Sequence, residues 1–353
     1  MSASLTSAAP LIQAIKQLST RRFDITSCGA ALVDTEITVS DEQIQQAGIE
    51  KGVMTLVDAE QRQTLLQQFA ESLKHAALTG GGSAANSLVT AAYLGRRNFL
   101  SCRVGKDSNG DQFLTDFHEA GVTLNDNAQR DDAPTGQCLV MITPDAERTM
   151  CTNLGASALL SKDEVVATAI ESSKVLYIEG YQVAEDAGFD ASMYALDVAK
   201  QAGTITALSL SDPAMAQFFN ERIRSFLDVG IDIVFCNQDE ALATAKTETL
   251  EEAISFLTKR CKLLLVTQGA KGVTLASTDE RMAVAGFKAE AIDTNGAGDT
   301  FAGAFLAKLL EHSSLADSAR FANYAASCVV AQYKPRLDRQ TLEALTQSKA
   351  LAS

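Results

Sequence analysis

The sequence contains no tryptophan, and only three of its 353 residues are histidines, His75, His118 and His312. The histidines are far apart and lack the spacing of metal ligands, which argues against a zinc site built from His and Cys. Seven cysteines are scattered along the chain without a C-x-x-C pair, and most lie in apolar runs. We therefore expect buried thiols in a reducing cytoplasm rather than a disulfide framework.

Long apolar runs and an excess of basic residues are also missing. No apolar run approaches the roughly 18 residues that a membrane-spanning helix needs, and residues 1–5 lack the basic-then-apolar order of a signal peptide. The chain has 30 basic and 44 acidic residues, giving a formal net charge of −14. Such a surface repels the phosphates of nucleic acids and anionic membranes. We expect a cytoplasmic protein that binds a small molecule, and neither nucleic acid nor a membrane.

The residues that are present favour a folded α/β protein, because short apolar runs alternate with segments of helical apolar spacing. Strands are predicted at 23–28, 99–104, 174–179, 204–210, 231–236 and 262–267. Helices are predicted at 60–75, 84–94, 110–120, 187–202, 215–228 and 248–260, and over most of 299–347. Strands separated by helices of this length indicate a mostly parallel sheet covered on both faces.

Two stretches break this alternation. Residues 137–143 and 148–154 are typical of a β-hairpin around the turn Pro144-Asp145-Ala146-Glu147, and residues 32–58 are also rich in strand signals. We predict a small β lid inserted in one α/β body, and a loose helical arm at residues 1–22. The predicted lid comprises residues 32–58 and 126–157, and the predicted main domain comprises residues 1–31, 59–125 and 158–353.

The strongest chemical signal is the run Asp293-Thr294-Asn295-Gly296-Ala297-Gly298-Asp299, which leads directly into an apolar helix. Its small residues let the backbone turn tightly, so that N–H groups at the positive end of the helix can point at an anion. Asp299 could then remove a proton from a hydroxyl that attacks a phosphate held there. A Gly-rich turn with an N-capping aspartate explains the motif equally well.

A second Gly-rich turn, Gly80-Gly81-Gly82, precedes a predicted helix that carries Asn86. The Asn86 amide has a donor and an acceptor, which suits a diol, but a tight strand-to-helix connection is the better explanation of this turn alone. The turn is neither a Walker loop nor a dinucleotide-binding fingerprint, because it lacks the lysine of the first and the spacing of the second.

Other polar positions follow predicted strands, where open α/β sheets bind ligands. They are Asp34, Asn237 with Glu240 one helical turn later, and Thr267 with Gly269 and Gly272. For each of them alone, turn chemistry or helix capping is the commoner explanation.

Together these motifs resemble the ribokinase-like (carbohydrate kinase) family over nearly the whole chain. Residues 293–306 match the late family signature, and the early signature is matched by glycines 81, 82, 95 and 105 and by Asn86, with Leu88 where a small residue is usual. Within the family the chain looks most like the adenosine kinases, with Glu147-Arg148-Thr149-Met150 and residues 232–237 among the similar segments.

The resemblance implies a three-layer α/β sandwich with a mostly parallel central sheet and a small β lid. It implies a kinase that uses ATP and Mg²⁺ to phosphorylate a primary hydroxyl of a nucleoside, with the 5′ hydroxyl of adenosine expected first. Another nucleoside, or a free sugar of the ribose or fructose type, is an alternative acceptor. A catalytically silent, nucleoside-binding paralogue is a further alternative, which the presence of Asp299 disfavours. The expected assembly is a monomer or a homodimer.

The resemblance also implies roles for single residues at the acceptor side. Asp299 would be the base, and the N–H groups of Gly296, Ala297 and Gly298 would form an anion hole. Arg148, in the lid hairpin, would approach the phosphates. The ribose hydroxyls would be held by Asp34, Gly81, Gly82 and Asn86. No stacking aromatic can be assigned to a purine, although Tyr181 directly follows a predicted strand.

The remaining implied residues concern ATP and ions. ATP would be bordered by Thr267, Gly269, Gly272, Asn295 and Asn323, with Asn323 near the adenine. Glu240, and Asn237 through water, would organise Mg²⁺. Asp293 would belong to a monovalent-cation site, but Lys334 stands where relatives often carry glycine, which leaves potassium open as a cofactor.

Overall fold

The computed structural model of the chain describes residues 5–74, 76–125, 130 and 132–351. Within these residues, fourteen strands form two separate sheets. The strands are β1 (Phe23–Cys28), β2 (Leu32–Thr38), β3 (Met54–Leu56), β4 (Ala77–Gly81), β5 (Asn98–Ser101), β6 (Val122–Leu124), β7 (Gly136–Ile142), β8 (Arg148–Asn153), β9 (Ser173–Glu179), β10 (Ile205–Ser209), β11 (Ile231–Asn237), β12 (Cys261–Thr267), β13 (Gly272–Ala276) and β14 (Arg281–Ala285).

The α-helices lie mostly between the strands. They are α1 (Ala9–Gln17), α2 (Asp41–Gln46), α3 (Ala59–Gln68), α4 (Ala70–Leu73), α5 (Ser83–Tyr93), α6 (Ser108–Ala120), α7 (Ala167–Glu171), α8 (Asp186–Ala202), α9 (Pro213–Phe218), α10 (Asn220–Asp228), α11 (Gln238–Ala245), α12 (Leu250–Leu257), α13 (Ala297–Leu310), α14 (Leu315–Val329) and α15 (Arg339–Leu345). Short 3₁₀ helices follow β8, β9 and β12.

The larger sheet has the strand order β14-β13-β12-β11-β10-β9-β1-β5-β6. Strands β6 to β12 in this order are parallel to their neighbours, and β13 and β14 add an antiparallel edge. One face packs against α1, α5, α6, α13, α14 and α15, and the other packs against α7 to α12. The predicted three-layer α/β architecture with a mostly parallel sheet is confirmed.

Several element boundaries differ from the sequence-based expectations. The helix predicted at 215–228 is divided into α9 and α10, because Phe219 (φ −114°, ψ 32°) leaves the helical region. The helix predicted at 60–75 is divided at Phe69 in the same way. The strand predicted at 99–104 ends at Ser101, since the backbone of Cys102 bonds to the side chain of Asn125 instead. The short edge strands β13 and β14 were not predicted.

The described part of the N-terminal arm is helical, as predicted, but it is not loose. Leu5, Ala8, Leu11 and Ile15 are each at most 5% exposed and belong to the core beside the large sheet. Burial of these apolar side chains fixes α1 against the body. The prediction of a loose arm was therefore wrong, and residues 1–4 lie outside the described residues.

The smaller sheet has the order β3-β8-β7-β2-β4. Because side chains alternate along a strand, one face packs under α2, α3 and α4 through residues such as Ile37, Phe69 and Met141. The other face carries Leu32, Asp34, Cys138 and Met150, which line a cavity shared with the large sheet. We call the small sheet with α2, α3 and α4 the lid.

The lid is wider than the two predicted segments, 32–58 and 126–157. Helices α3 and α4 and strand β4 lie between these segments in sequence. Strand β4 pairs with β2 in the small sheet, and the two helices pack on one face of that sheet. We propose that the lid also includes residues 59–81. Residues 126–129 and 131 of the second predicted segment lie outside the described residues.

Helices α5 and α13 cross where Gly303 of α13, which has no side chain, lies against the backbone of α5. A Cβ at Gly303 of α13 would collide with the carbonyl oxygen of Ser87 and lie 2.9 Å from the Cβ of Thr90, both on α5. Only glycine permits this close approach of two backbones. The crossing places the first turns of both helices side by side, so that Ser83 and Asp299 are in contact at 2.6 Å.

We predict that Gly303→Ala destabilises the protein by about 1–3 kcal/mol, the usual cost of overpacking a close contact. Gly298→Ala is the matched control, because it lies on the same helix and a Cβ there meets nothing within 4 Å. The measurement is chemical denaturation of both variants and the parent protein. Equal stability of the two variants would show that the crossing does not depend on Gly303.

Candidate active site

A cavity of about 480 Å³ lies between the lid and the carboxyl ends of the parallel strands. It brings together thirteen of the seventeen residues proposed from the sequence, which come from the lid, the strand ends and the starts of α5 and α13. They are Asp34, Gly82, Asn86, Arg148, Asn237, Glu240, Thr267, Gly269, Asn295, Gly296, Ala297, Gly298 and Asp299. The others, Gly81, Gly272, Asp293 and Asn323, do not line it.

Asp299 lies in the first turn of α13 and is held by two side chains of α5. Its Oδ1 accepts a hydrogen bond from the Ser83 hydroxyl at 2.6 Å, and its Oδ2 accepts one from the Asn86 amide at 3.1 Å. Burial raises the pKa of Asp299, while the bonds from Ser83 and Asn86 and the charge of Arg148 offset part of this effect. The result is a fixed carboxylate whose proton affinity is higher than usual, as a general base requires.

The start of α13 forms a concave turn of backbone. Gly296 has a φ of 73° and precedes the helix without a capping side-chain hydrogen bond. A Cβ at Gly296 would collide with the carbonyl oxygen of Pro335, whereas the space beside Gly298 is open. This end of the 14-residue helix can therefore present N–H groups and a positive dipole to an anion in the cavity.

Asp34 of the lid strand β2 and Asn86 of α5 are polar residues that line the cavity. Asp34 is 6% exposed and packs directly on the backbone of Gly81. Burial and the nearby Glu36 raise the pKa of Asp34 to about 7, although Arg336 opposes this. Asn86 is 4% exposed, and its Oδ1 has no hydrogen-bond partner among the described residues. Such a buried acceptor fits the hydroxyl of a ligand.

Arg148 extends from the lid hairpin into the cavity, at the start of β8. Burial opposes its charge, but Tyr181, Asp212, Asp299 and Glu240 together raise the pKa of the guanidinium. Arg148 is thus a permanent positive charge on the lid that faces the acidic groups of the body. It could bind phosphate oxygens through its planar fork of donors.

Asn237 and Glu240 form a capping box at the start of α11. The Asn237 Oδ1 accepts the N–H of Glu240 at 2.8 Å, and the Glu240 carboxylate accepts the N–H and the amide of Asn237 at 3.0 and 2.7 Å. Burial raises the pKa of Glu240 to about 7.

No three His, Cys, Asp or Glu side chains cluster as a metal site in the part of the chain that is described. Mg²⁺ commonly binds through one or two carboxylates together with waters and ligand phosphates. Glu240, with Asp239 beside it on the cavity wall, fits that mode of binding.

Only some of the residues proposed from the sequence to bind ATP line the cavity. Thr267 and Gly269 line the cavity, and the Thr267 hydroxyl donates to the Cys236 carbonyl at 3.3 Å. Gly272 packs against the backbone of β14. The Asn323 amide donates to the carbonyls of Val284 and Ala285 at 3.1 and 3.0 Å, and this occupies its hydrogen atoms at the edge of the large sheet.

Asp293, in the loop that precedes Gly296 and α13, is fully buried. It accepts the N–H of Asn295 at 2.8 Å, and burial raises its pKa while the bonds from Asn295 and the Lys334 backbone oppose this. Lys334 has a φ of 112°, a conformation that favours glycine. Asp293 therefore shapes the turn that precedes Gly296.

Sequence reasoning missed Ser83 and Glu179. Glu179 is fully buried at the end of β9, where its carboxylate accepts the N–H groups of Ala30 and Ala84 and the amide of Gln182, all at 2.7 Å. It thus joins the segment before β2 to the start of α5. Both residues carry the signals used for their neighbours, since Ser83 lies inside the Gly-rich turn and Glu179 ends a predicted strand.

Two predictions about the rest of the chain can be compared with the structure. Six of the seven cysteines are buried and Cys328 is half-buried, which confirms the expected burial of the thiols. Among the described residues, no helix has the length and apolar character needed to cross a membrane.

Comparison with known proteins shows the family to which the chain is related. Residues 52–342 match the family model described as "pfkB family carbohydrate kinase". The ribokinase of Haemophilus influenzae is 30% identical over 276 residues, which are 75% of this chain and 87% of that protein.

Solved structures of other proteins have a similar fold. The adenosine kinase from Sinorhizobium meliloti superimposes with a TM-score of 0.87 at 32% identity, covering 93% of this chain and 100% of that one. A probable sugar kinase from Rhizobium etli gives the same TM-score and identity over 94% of this chain and 99% of that one.

We predict that Asp34→Asn stabilises the ligand-free protein more at pH 8 than at pH 5. The pKa of Asp34 is raised from 3.8 to about 7, so the folded state prefers its protonated form. The stability that depends on this proton is complete below the unfolded pKa and is lost as the pH rises through about 7. Asparagine removes this loss.

Thermal unfolding of Asp34→Asn and the parent protein at both pH values tests the prediction. At pH 8 we expect the melting temperature of Asp34→Asn to exceed that of the parent by about 2 °C or more. Asp163→Asn, at an exposed position, is the control. The same melting-temperature difference at pH 5 and pH 8 would contradict a raised pKa for Asp34.

A second prediction concerns Gly296. Gly296→Ala adds the cost of a left-handed backbone (φ 73°) and a collision with the Pro335 carbonyl, whereas Gly203→Ala (φ 66°) adds only the first. We expect Gly203→Ala to cost about 1–2 kcal/mol of stability and to leave ATP binding unchanged. Gly296→Ala should cost more and weaken ATP binding. Calorimetric titration and denaturation measure both effects, and unchanged ATP binding by Gly296→Ala would contradict the anion-hole assignment.

Proposed function

The chain belongs to the pfkB family of carbohydrate kinases, and we propose that it transfers a phosphoryl group from ATP to the 5′ hydroxyl of a nucleoside, with adenosine as the preferred acceptor and AMP as the product. The kinase activity follows from the family. The choice of acceptor rests on the shape and polarity of the cavity.

The observation that carries this choice is that the cavity wall has a polar and an apolar set of side chains. The polar set, here called the polar floor, is Asp34 of the lid strand β2 with Asn86 and Asp299 of the body. The apolar set, here called the apolar lid face, is Leu32, Met54, Leu56, Met150 and Leu154. A nucleoside has the same division, with a hydroxylated ribose and a largely apolar base, whereas a free sugar carries hydroxyls around its whole ring.

The base would therefore contact aliphatic and thioether groups more than aromatic rings. Methionine side chains are flexible and polarisable, and they pack well against aromatic groups. Tyr181 also lines the cavity, but its surroundings include the charged groups of Asp212 and Arg148. This accounts for the lack of a tryptophan or an obvious stacking motif in the sequence.

In the proposed mechanism, Asp34 and Asn86 orient the ribose and leave the primary hydroxyl close to Asp299. Asp299 accepts the hydroxyl proton as the hydroxyl oxygen bonds to the γ-phosphorus and the bond from that phosphorus to the ADP oxygen breaks. Each oxygen of the Asp299 carboxylate now accepts one hydrogen bond, from Ser83 or Asn86, and has a further acceptor position for the hydroxyl. General-base assistance of this kind typically contributes about 10²–10⁴ in rate. The N–H groups of residues 296–298, with Arg148, stabilise the negative charge of the phosphoryl group.

Other residues that line the cavity would hold ATP and Mg²⁺. Thr267, Gly269 and Asn295 would border the ATP, and Glu240, with Asn237 through water, would organise Mg²⁺. When bound, Mg-ATP supplies the transferable phosphoryl group, and the metal neutralises part of its charge. The lid covers the cavity and limits the access of water. Potassium at Asp293 stays a prediction, which activity with and without the ion tests.

This reaction would contribute to purine salvage in the cytoplasm. Whether the kinase works as a monomer or a homodimer stays a prediction from the family resemblance. A free-sugar acceptor is the second candidate, because the chain is similar to a ribokinase and to a probable sugar kinase, and the polar floor would serve either acceptor.

The test measures ADP release from Mg-ATP with adenosine, inosine, guanosine, ribose or fructose as acceptor. We expect kcat/KM for adenosine to exceed that for the free sugars by at least about 100-fold, since the apolar lid face adds roughly 3 kcal/mol of contact with the base. A preference for ribose or fructose would overturn the acceptor while leaving the kinase intact.

Asp299→Asn is the variant that tests the base. It should lower kcat by about 10²–10⁴, while adenosine and ATP still bind, as measured by calorimetry. Turnover within tenfold of the parent enzyme would contradict the role of Asp299. Tight adenosine binding by a parent protein that phosphorylates none of the acceptors would instead indicate a silent nucleoside-binding protein.

A further inference from the structure

Two hydrogen bonds join the lid to the loop that forms the anion hole. The Thr294 hydroxyl donates to the carbonyl oxygen of Ala146 at 3.2 Å. The Asn295 side-chain amide donates to the Glu36 carboxylate at 3.3 Å. Thr294 and Asn295 directly precede Gly296, and both acceptors belong to the lid, so the two bonds join the lid to the loop before α13.

Ala146, the acceptor of the first bond, is held in place by hydrogen bonds within the lid hairpin. Ala146 is 4% exposed and has a φ of 63°, which is unusual for a residue with a side chain. Its N–H donates to the Thr143 carbonyl at 2.9 Å, and Thr143 in turn donates its N–H to the Glu147 carbonyl at 3.0 Å. Lys51 holds the neighbouring Asp145 at 2.6 Å. The Ala146 carbonyl is therefore fixed at the tip of the hairpin that carries Arg148.

The lid side of the second bond lies on the strand that binds the acceptor. Glu36 is 7% exposed and is two residues after Asp34 on β2, so both side chains are on the same face. A movement of β2 would therefore displace Asp34, the carboxylate proposed to bind the nucleoside, together with Glu36, the hydrogen-bond partner of Asn295. The lid thus reaches the loop at two points, one beside the phosphate-binding arginine and one beside the acceptor site.

On the body side, the loop has little freedom between these bonds and the anion hole. The Asn295 N–H is held by Asp293 at 2.8 Å, and Gly296 packs against the Pro335 backbone. A displacement of Thr294 or Asn295 therefore changes the positions of the N–H groups of residues 296–298.

We propose that Thr294 and Glu36 are positioning residues that couple the docked lid to a correctly formed anion hole. This inference rests on the proposed function. With the lid away from the body, both bonds are lost and the N–H groups are less well aligned, so the γ-phosphoryl group is not activated before the acceptor is covered. The coupling suppresses the wasteful reaction in which a water oxygen bonds to the γ-phosphorus, the bond to the ADP oxygen breaks, and Asp299 takes the water proton.

The test compares Thr294→Val, which keeps the side-chain shape and removes the donor, with Thr294→Ser, which keeps the donor. Thr278→Val is the matched control, because Thr278 also donates to a backbone carbonyl, that of Thr258, at 3.2 Å. It lies in the turn between β13 and β14, away from the cavity. Adenosine phosphorylation and acceptor-free ATP hydrolysis are measured for each protein.

We expect Thr294→Val to lower kcat about 3- to 10-fold, as for the loss of one hydrogen bond, with a smaller change in the KM for adenosine. Its ratio of hydrolysis to transfer should rise by a similar factor. Thr294→Ser should restore both values, and Thr278→Val should match the parent. An unchanged kcat and an unchanged ratio in Thr294→Val would overturn the proposal.

Hydrogen exchange of the ligand-free protein gives a readout that does not need activity. Amides of residues 143–149 should exchange faster in Thr294→Val than in the parent or in Thr278→Val. Equal exchange in all three would contradict the coupling even if the kinase reaction were confirmed. A parent protein without kinase activity would refute the proposed function, while the exchange result would still decide whether the lid is held by Thr294.

Glu36→Leu and Glu36→Gln provide the second pair, in case Thr294→Val does not fold. Leucine removes the acceptor of the Asn295 amide, and glutamine keeps an acceptor oxygen. The leucine variant should show the raised hydrolysis ratio and the glutamine variant should not. Equal ratios in both would mean that this bond does not contribute to the coupling.

Discussion

The contact between the first turns of α5 and α13 is the constraint on which the rest of the site depends. Gly303 lets the two helices cross at backbone distance from Ser87. The starts of both helices then line one cavity, and Ser83 and Asn86 of one helix hold Asp299 of the other. A carboxylate, the donors that fix it and a helix end that can bind an anion are thereby brought together.

The cavity around this contact holds carboxylates whose burial makes their charged form unfavourable. Asp34, Glu179, Glu240 and Asp299 are all raised in pKa by burial, which means that the ligand-free fold tolerates carboxylates in an environment that disfavours their charge. Arg148 supplies a compensating charge, but it belongs to the lid. The buried carboxylates, Arg148 and the start of α13 are complementary in charge, and a bound acceptor with Mg-ATP would complete their hydrogen bonds. Pre-organisation of this kind reduces the reorganisation needed at the moment of reaction.

Sequence reasoning predicted the layered α/β body well, because buried parallel strands such as β9 and β11 each contain a run of four apolar residues. It also placed residues 293–299 at the start of an apolar helix, which the structure confirms as α13, because small residues and a carboxylate are common where a helix begins. It did not predict that Asn86 would bond to Asp299, that Glu179 would join three segments, or that β4 would enter the lid. Those features depend on tertiary contacts between residues far apart in sequence, and local spacing carries no signal for them.

The central claim is that Asp299 is next to the reacting hydroxyl while the start of α13 binds the transferred group. A crystal structure with adenosine and a non-hydrolysable ATP analogue would test it most directly. The account predicts the 5′ oxygen within hydrogen-bond distance of the Asp299 carboxylate, the γ-phosphate against the N–H groups of residues 296–298, and the base against Met54 and Met150. An acceptor hydroxyl directed at another side chain, with Asp299 still bonded only to Ser83 and Asn86, would contradict it.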